Sequence, residues 1–146
     1  MTIVGFNLEK ISVEKKAPVK GVNIDVKNNV TIKEISPKEL SYGDEKKDGL
    51  KFAFEFAAVY SPDIGNITIN GNVLYLASNK KSKEILKTWE KDKKLTKEIA
   101  PEILNTILMR CSIKTLNLAQ EVNLPPNISL PSLKVKNPED IGNYIG

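Results

Sequence analysis

A run of alternating apolar residues in the middle of the chain limits its possible folds more than any other feature. The segment 50–61, "LKFAFEFAAVYS", has an apolar side chain at every second position: Leu50, Phe52, Phe54, Phe56, Ala58 and Tyr60. A period of two places these side chains on one face of a β-strand, whereas a helix would scatter them around its axis. Because Lys51 and Glu55 fall between them, the pattern predicts an antiparallel strand with one buried face.

Two further segments in the first half of the chain alternate in the same way. They are 21–35, "GVNIDVKNNVTIKEI", and 65–78, "GNITINGNVLYLAS". The second follows the turn sequence "SPDIGN", in which Pro62 and Gly65 are typical hairpin residues. Between the strands, the charged segment 36–49 is expected to form a loop. Four successive strands with short connections, such as the turn at 61–66, favour an antiparallel meander or a close variant.

The first predicted strand, 6–16 "FNLEKISVEKK", changes phase along its length. Phe6 and Leu8 alternate in one phase, and Ile11 and Val13 alternate in the other. One extra residue between the two pairs would restore them to one face, so the switch indicates a β-bulge. The alternative is a strand with both faces partly covered.

The apolar period changes from that of a strand to that of a helix after residue 78. The segment 79–94 carries Ile85, Leu86 and Trp89 at helical spacing, with Ser78 or Asn79 as the N-cap. The longest helix is predicted over 100–123, "APEILNTILMRCSIKTLNLAQEVN", with its proline in the first turn. Strands followed by helices predict an α+β fold, a four-stranded antiparallel sheet with helices packed on one face.

A hydrophobic segment rich in proline, "EVNLPPNISLPSLKVK" at 121–136, follows the long helix. Three prolines exclude a helix there, but the leucines and the isoleucine of this segment are too apolar for a linker that makes no contacts. We call residues 124–136 the crossover strap; it either closes the core or presents its apolar side chains to a partner. We predict a single domain, 1–146, with four parts: a sheet (1–78), helices (79–123), the strap (124–136) and a short terminal helix (137–146).

The composition excludes several kinds of chemistry. The 146 residues include no histidine, which removes the commonest general base and transition-metal ligand. The one cysteine, Cys111, lies among apolar helical neighbours and is predicted to be a buried thiol. A single cysteine cannot form an intrachain disulfide, so we expect a reducing, cytoplasmic environment. Neither a signal peptide nor an apolar run long enough to span a membrane is apparent. We therefore expect no enzymatic activity, no metal, no cofactor and no membrane insertion.

The positive charge is concentrated in one segment. The chain has a formal net charge of +4, and residues 79–98 contain eight lysines and four acidic residues, 8 − 4 = +4, which accounts for all of it. A basic helix could make this protein an adaptor that binds RNA or an acidic protein. An ordinary solvated helix face would show the same lysine spacing. The chain has a single arginine, Arg110, and base recognition favours arginine, so nucleic acid is the less favoured partner.

The order of elements and three short segments resemble the SecB export-chaperone family. The segments are "FNLEKISVEKK" in the first strand, "APEILNTILMRC" at the start of the long helix, and "NLPPNISLP" in the strap. The resemblance implies a homo-oligomer, a dimer or a tetramer built as a dimer of dimers. It also implies an ATP-independent holdase, which binds unfolded or precursor polypeptides in apolar surface grooves between the sheet, the long helix and the strap.

Carried over by position, the resemblance implies a client-binding set of eight residues: Leu124, Pro125, Ile128, Leu130, Leu133, Met109, Ile113 and Leu116. The last three lie off the main apolar stripe of the long helix and could face a groove or a partner subunit. The chain departs from the family in its basic charge and in its shortened terminal helix. Since family members are typically acidic where they dock the translocation motor, client holding is better supported here than an export role.

Overall fold

The computed structural model describes residues 2–19 and 23–131 and forms one sheet with two helices. The elements in chain order are β1 (Thr2–Lys15), β2 (Asp25–Tyr42), β3 (Glu45–Ser61), β4 (Gly65–Leu76), α1 (Asn79–Asp92) and α2 (Ala100–Glu121). The strap beyond residue 131 and the terminal helix expected over 137–146 lie outside the described residues. The predicted α+β class, with four antiparallel strands before the helices, is confirmed.

The strand order is β1-β4-β3-β2, with every neighbouring pair antiparallel. Strands β2, β3 and β4 form the expected meander, but β1 pairs with β4 at the opposite edge from β2. The chain leaves β1 across the end of the β3–β4 hairpin, where the backbone N–H groups of Lys16 and Ala17 donate to the Ile64 carbonyl at 2.7 and 3.2 Å. The topology is therefore a variant of the meander in which both edge strands are joined by a crossover.

The charged segment 36–49 is not a loop, contrary to the expectation from its composition. Strands β2 and β3 continue through it and join in a two-residue turn at Gly43 and Asp44. Gly43 has a φ of +65°, which glycine adopts without steric cost in such a turn. Pro37 is accommodated because β2 is an edge strand and a missing N–H can face away from the ladder.

The predicted bulge in β1 is confirmed. Phe6 lies opposite Val73, and the register shifts between Leu8 and Lys10, after which Ile11 lies opposite Ile69. The extra residue brings both phases of apolar side chains onto the face that the helices cover. As a result, Leu8 lies on the same side of the sheet as α2.

The core fills the space between the helices and one face of the sheet. The alternating residues of β3 are all at most 1% exposed and meet Ile85 and Trp89 from α1. From α2 they meet residues spaced four apart on one stripe: Ile103, Ile107, Cys111, Thr115 and Ala119. The side chain of Ser78 caps α1 by accepting a hydrogen bond from the Lys81 N–H at 3.3 Å, as the sequence predicts. Ser112, next to this stripe, is also buried, whereas Leu108, Met109 and Ile113 on other sides of α2 are exposed.

Candidate binding surface

The beginning of the strap is fixed to the sheet by three hydrogen bonds, two of which its backbone carbonyls accept. The Tyr60 hydroxyl donates to the Pro125 carbonyl at 2.7 Å, and the Asn28 side-chain amide donates to the Asn127 carbonyl at 2.8 Å. Both donors belong to the helix-facing side of β2 and β3. The strap therefore packs beside α2 on the flank nearest β2 and covers the core there.

The five strap residues of the predicted client-binding set have different environments. Leu124 is 5% exposed and belongs to the core cluster, and Pro125 and Ile128 are half-buried. Leu130 is 48% exposed, and Leu133 lies outside the described residues. The beginning of the strap therefore closes the core. Of the four described strap residues in the set, only Leu130 is exposed to solvent.

The three α2 residues of the predicted set lie away from the core stripe. Met109 is 59% exposed and Ile113 is 57% exposed, while Leu116 is half-buried. Exposure of this size is unusual for large apolar side chains in the middle of a helix that packs on a sheet. The participation of all eight residues in polypeptide binding stays a prediction; the two most exposed of the described ones, Met109 and Ile113, lie on α2, and Leu130 lies on the strap.

The structure adds a surface that the sequence did not reveal, on the other flank of α2. The gap between α2 and the edge strand β1 is open and has a volume of about 430 Å³. We call it the β1–α2 hollow, and its lining residues are Phe6, Leu8, Arg110, Ile113, Lys114 and Asn117. Leu8 is 40% exposed there, and Ile11 next to it on β1 is 41% exposed. The phase switch in the β1 sequence is the signal that could have indicated this surface. The packing of β1 beside α2, however, depends on the tertiary structure.

The charged side chains of the hollow are both basic. The Arg110 guanidinium lies 5.0 Å from the centroid of the Phe6 ring, which in turn stacks on Phe54 with centroids 5.4 Å apart. Lys114 is exposed one helical turn further along α2. A guanidinium stacked on an aromatic face is held in place by the ring and keeps its edge N–H donors free. The hollow thus combines an apolar floor with a positioned cation.

The basic segment 79–98 forms a second charged surface, separate from the hollow. Five lysines of α1 and of the residues just after it are exposed, and we call them the lysine row: Lys80, Lys83, Lys87, Lys91 and Lys94. Trp89 of α1, in contrast, is buried at 8%. Lys81 instead donates a hydrogen bond to the Glu98 carboxylate, and this bond raises the pKa of Lys81. This is the arrangement of a solvated helix face.

The nucleophilic and ionisable chemistry of the described residues is limited. Cys111 is 1% exposed, and burial raises the pKa of its thiol to about 11, so the thiolate is scarce near neutral pH. The prediction of a buried thiol is confirmed. Residues 2–19 and 23–131 contain no group of three or more histidine, cysteine or acidic side chains placed to hold a metal ion. Neither helix of this part has the length and apolar character required to span a bilayer.

Comparison with known proteins yields a likeness in structure but none in sequence. No protein-family model matches the chain, and no curated protein sequence matches it. Among solved structures it is similar to a SecB-like chaperone of Mycobacterium tuberculosis in complex with a ChAD peptide from the HigA1 antitoxin. The superposition covers 90% of each chain, with 12% sequence identity and a TM-score of 0.47. A likeness of this extent carries no inference about function, which has to come from the chain's own surface.

Proposed function

We propose that this protein is an ATP-independent holdase that binds unfolded or precursor polypeptides through apolar segments. The observation that carries the proposal is the open β1–α2 hollow, with large apolar side chains exposed on both of its sides. Leu8 from β1 and Ile113 from α2 line the hollow, and Ile11 and Met109 are exposed on the same two elements. Contiguous apolar surface rimmed by polar groups is typical of a protein-interaction site.

The chemistry of the hollow suits a client that is defined by hydrophobicity rather than by one sequence. Apolar contact is not directional, and its contribution scales with the area removed from water, about 25 cal/mol per Å². The apolar part of the hollow, made of Phe6, Leu8 and Ile113, can therefore accept many apolar segments. Unfolded and precursor chains expose such segments, whereas folded proteins bury them. This difference would give the holdase its selectivity without nucleotide hydrolysis.

Self-association as a dimer or tetramer is part of the same proposal. An oligomer would place several hollows around one particle, and a client bound at two of them gains avidity without any new contact. Measurement of the solution mass by light scattering tests this part. A monomer that still suppresses aggregation would remove the need for an oligomer but would leave the holdase proposal intact.

The activity itself is tested by aggregation of a chemically denatured model protein, diluted into buffer without ATP. We expect suppression at a stoichiometric amount of this protein. The substitution Ile113→Asp should weaken suppression, because it places a charge in the hollow. The matched control is Leu108→Asp, since Leu108 is 40% exposed on the same helix but does not line the hollow. No suppression by the unmodified protein would refute the function, and equal loss in both variants would refute its location.

A further inference from the structure

The basic residues of the β1–α2 hollow have no acidic counterpart within it. Arg110 and Lys114 are its charged lining residues, and Asn117 is neutral. The four ion pairs in the described part of the chain involve neither of them. The nearest acid in the β1 sequence, Glu9, accepts a hydrogen bond from Asn72, which alternation in β4 places on the sheet face away from the helices. The hollow therefore presents positive charge to whatever enters it.

Arg110 is placed to recognise a carboxylate. Its guanidinium lies over the Phe6 ring, and no hydrogen bond or ion pair to another described residue occupies its donors. Stacking fixes the plane of the group and leaves its edge open for a two-point hydrogen bond with a carboxylate. The apolar floor lies directly beside it, because Phe6 and Leu8 line the same hollow.

We infer that the β1–α2 hollow selects apolar polypeptide segments that carry an acidic side chain, with Arg110 as the specificity-determining residue and Lys114 in support. The inference rests on the proposed holdase function and names the class of client. The apolar part of a segment would contact Phe6, Leu8 and Ile113, and its carboxylate would meet the edge of the guanidinium. A segment flanked by lysine would instead meet two like charges and bind more weakly.

The test uses three fluorescein-labelled peptides with the same apolar core, Leu-Val-Phe-Leu-Val, flanked on both sides by Glu, Gln or Lys. Fluorescence anisotropy with the full chain gives each Kd at low and high salt. We expect the Glu peptide to bind about fivefold more tightly than the Gln peptide, and the Lys peptide more weakly than both, as for one or two solvent-exposed ion pairs. The preference should shrink at high salt because exposed charges are screened.

Two variants assign the selectivity to its residue. Arg110→Gln should reduce the Glu-to-Gln preference to less than about twofold, because the carboxylate of the client then loses its charged partner. Lys83→Gln removes one positive charge from the lysine row, away from the hollow, and is the matched control. It should leave the preference unchanged. Circular dichroism checks that both variants are folded.

The outcomes separate this inference from the proposed function. Equal affinity for all three peptides, or tighter binding of the Lys peptide, would overturn the inference and leave the holdase function standing. An equal loss of preference in Lys83→Gln would also overturn it, because the selection would then come from the overall charge. Failure of all three peptides to bind, together with no suppression of aggregation, would refute the function and the inference together. If Ile113→Asp lowers the solution mass and the unmodified protein binds no peptide, the hollow is a subunit interface and both proposals for it are refuted.

Discussion

Truncation of two apolar residues, one in the strap and one in α2, should separate stability from client binding. Leu124 is 5% exposed in the core cluster, whereas Ile113 is 57% exposed in the β1–α2 hollow. We expect Leu124→Ala to destabilise the fold with little direct effect on binding. We expect Ile113→Ala to weaken binding with little effect on the fold. The sequence resemblance assigns both residues to client binding, so this pair tests the reasoning drawn from burial.

The magnitude for Leu124→Ala follows from the groups removed. Three carbon groups leave the core, and at about 0.8 kcal/mol for each buried group the lost transfer free energy is about 2.4 kcal/mol. A residual cavity adds to this, and core Leu→Ala changes cost about 2–5 kcal/mol in total. We therefore expect a loss of about 3 kcal/mol in the free energy of unfolding. For Ile113→Ala, in a side chain that is mostly exposed, we expect a change of about 0.5 kcal/mol or less.

Urea unfolding followed by circular dichroism measures the stability, at one protein concentration because association would shift it. With a slope of about 2 kcal/mol per molar urea, Leu124→Ala should lower the midpoint by about 1.5 M. Aggregation suppression, measured well below the unfolding midpoint, should stay near the level of the unmodified protein for Leu124→Ala and fall for Ile113→Ala. An unchanged midpoint with lost suppression in Leu124→Ala would refute the reasoning, because Leu124 would then act at the surface.

Three further predictions follow from the contacts and charges. Tyr60→Phe removes the hydroxyl that binds the Pro125 carbonyl at 2.7 Å and should lower the free energy of unfolding by about 1–2 kcal/mol in urea titrations. Replacement of the three central lysines of the lysine row with glutamine should leave aggregation suppression unchanged; salt-dependent RNA binding that this change abolishes would favour the adaptor alternative instead. Burial raises the pKa of Cys111 from 9.0 to about 11, so below pH 9 both states hold the neutral thiol and its contribution to stability is complete. Between pH 9 and 11 the unfolded chain ionises first and that contribution is lost, so Cys111→Ala should show a smaller fall in stability over this range; identical profiles would contradict it.

The local elements were predictable because their signals lie within a few residues of one another. Alternation over 50–61, the phase switch at the β1 bulge and the cap at Ser78 all appear in the structure as the sequence indicates. The prediction of a loop over 36–49 is wrong, because a high density of charged residues does not exclude extended strand pairing. Its charged residues are tolerated on a long hairpin that is mostly solvent-exposed, joined at Gly43 and Asp44. Charge by itself does not distinguish an exposed hairpin from a loop.

The candidate site was less predictable, since its parts are distant in the sequence. Phe6 and Leu8 come from the first strand, and Arg110 and Ile113 come from the last helix. Their juxtaposition depends on β1 pairing with β4 at the edge of the sheet, and nothing in the local pattern of β1 specifies that partner. The exposed α2 residues Met109 and Ile113 could be selected from helical periodicity, because they lie off the apolar stripe.

The sequence by itself determined the period of every element, the order of strands and helices, the absence of histidine chemistry and the position of the positive charge. Only the tertiary structure decided which apolar residues outside the main stripes become buried and which remain exposed. The strap is apolar in sequence, yet hydrogen bonds from Tyr60 and Asn28 hold it against the sheet, and Leu124 becomes core. The flank of α2 toward β1 receives no such cover within residues 2–19 and 23–131. Burial depends on which distant segment packs on a given face, so it is a property of the assembled chain and not of any one segment.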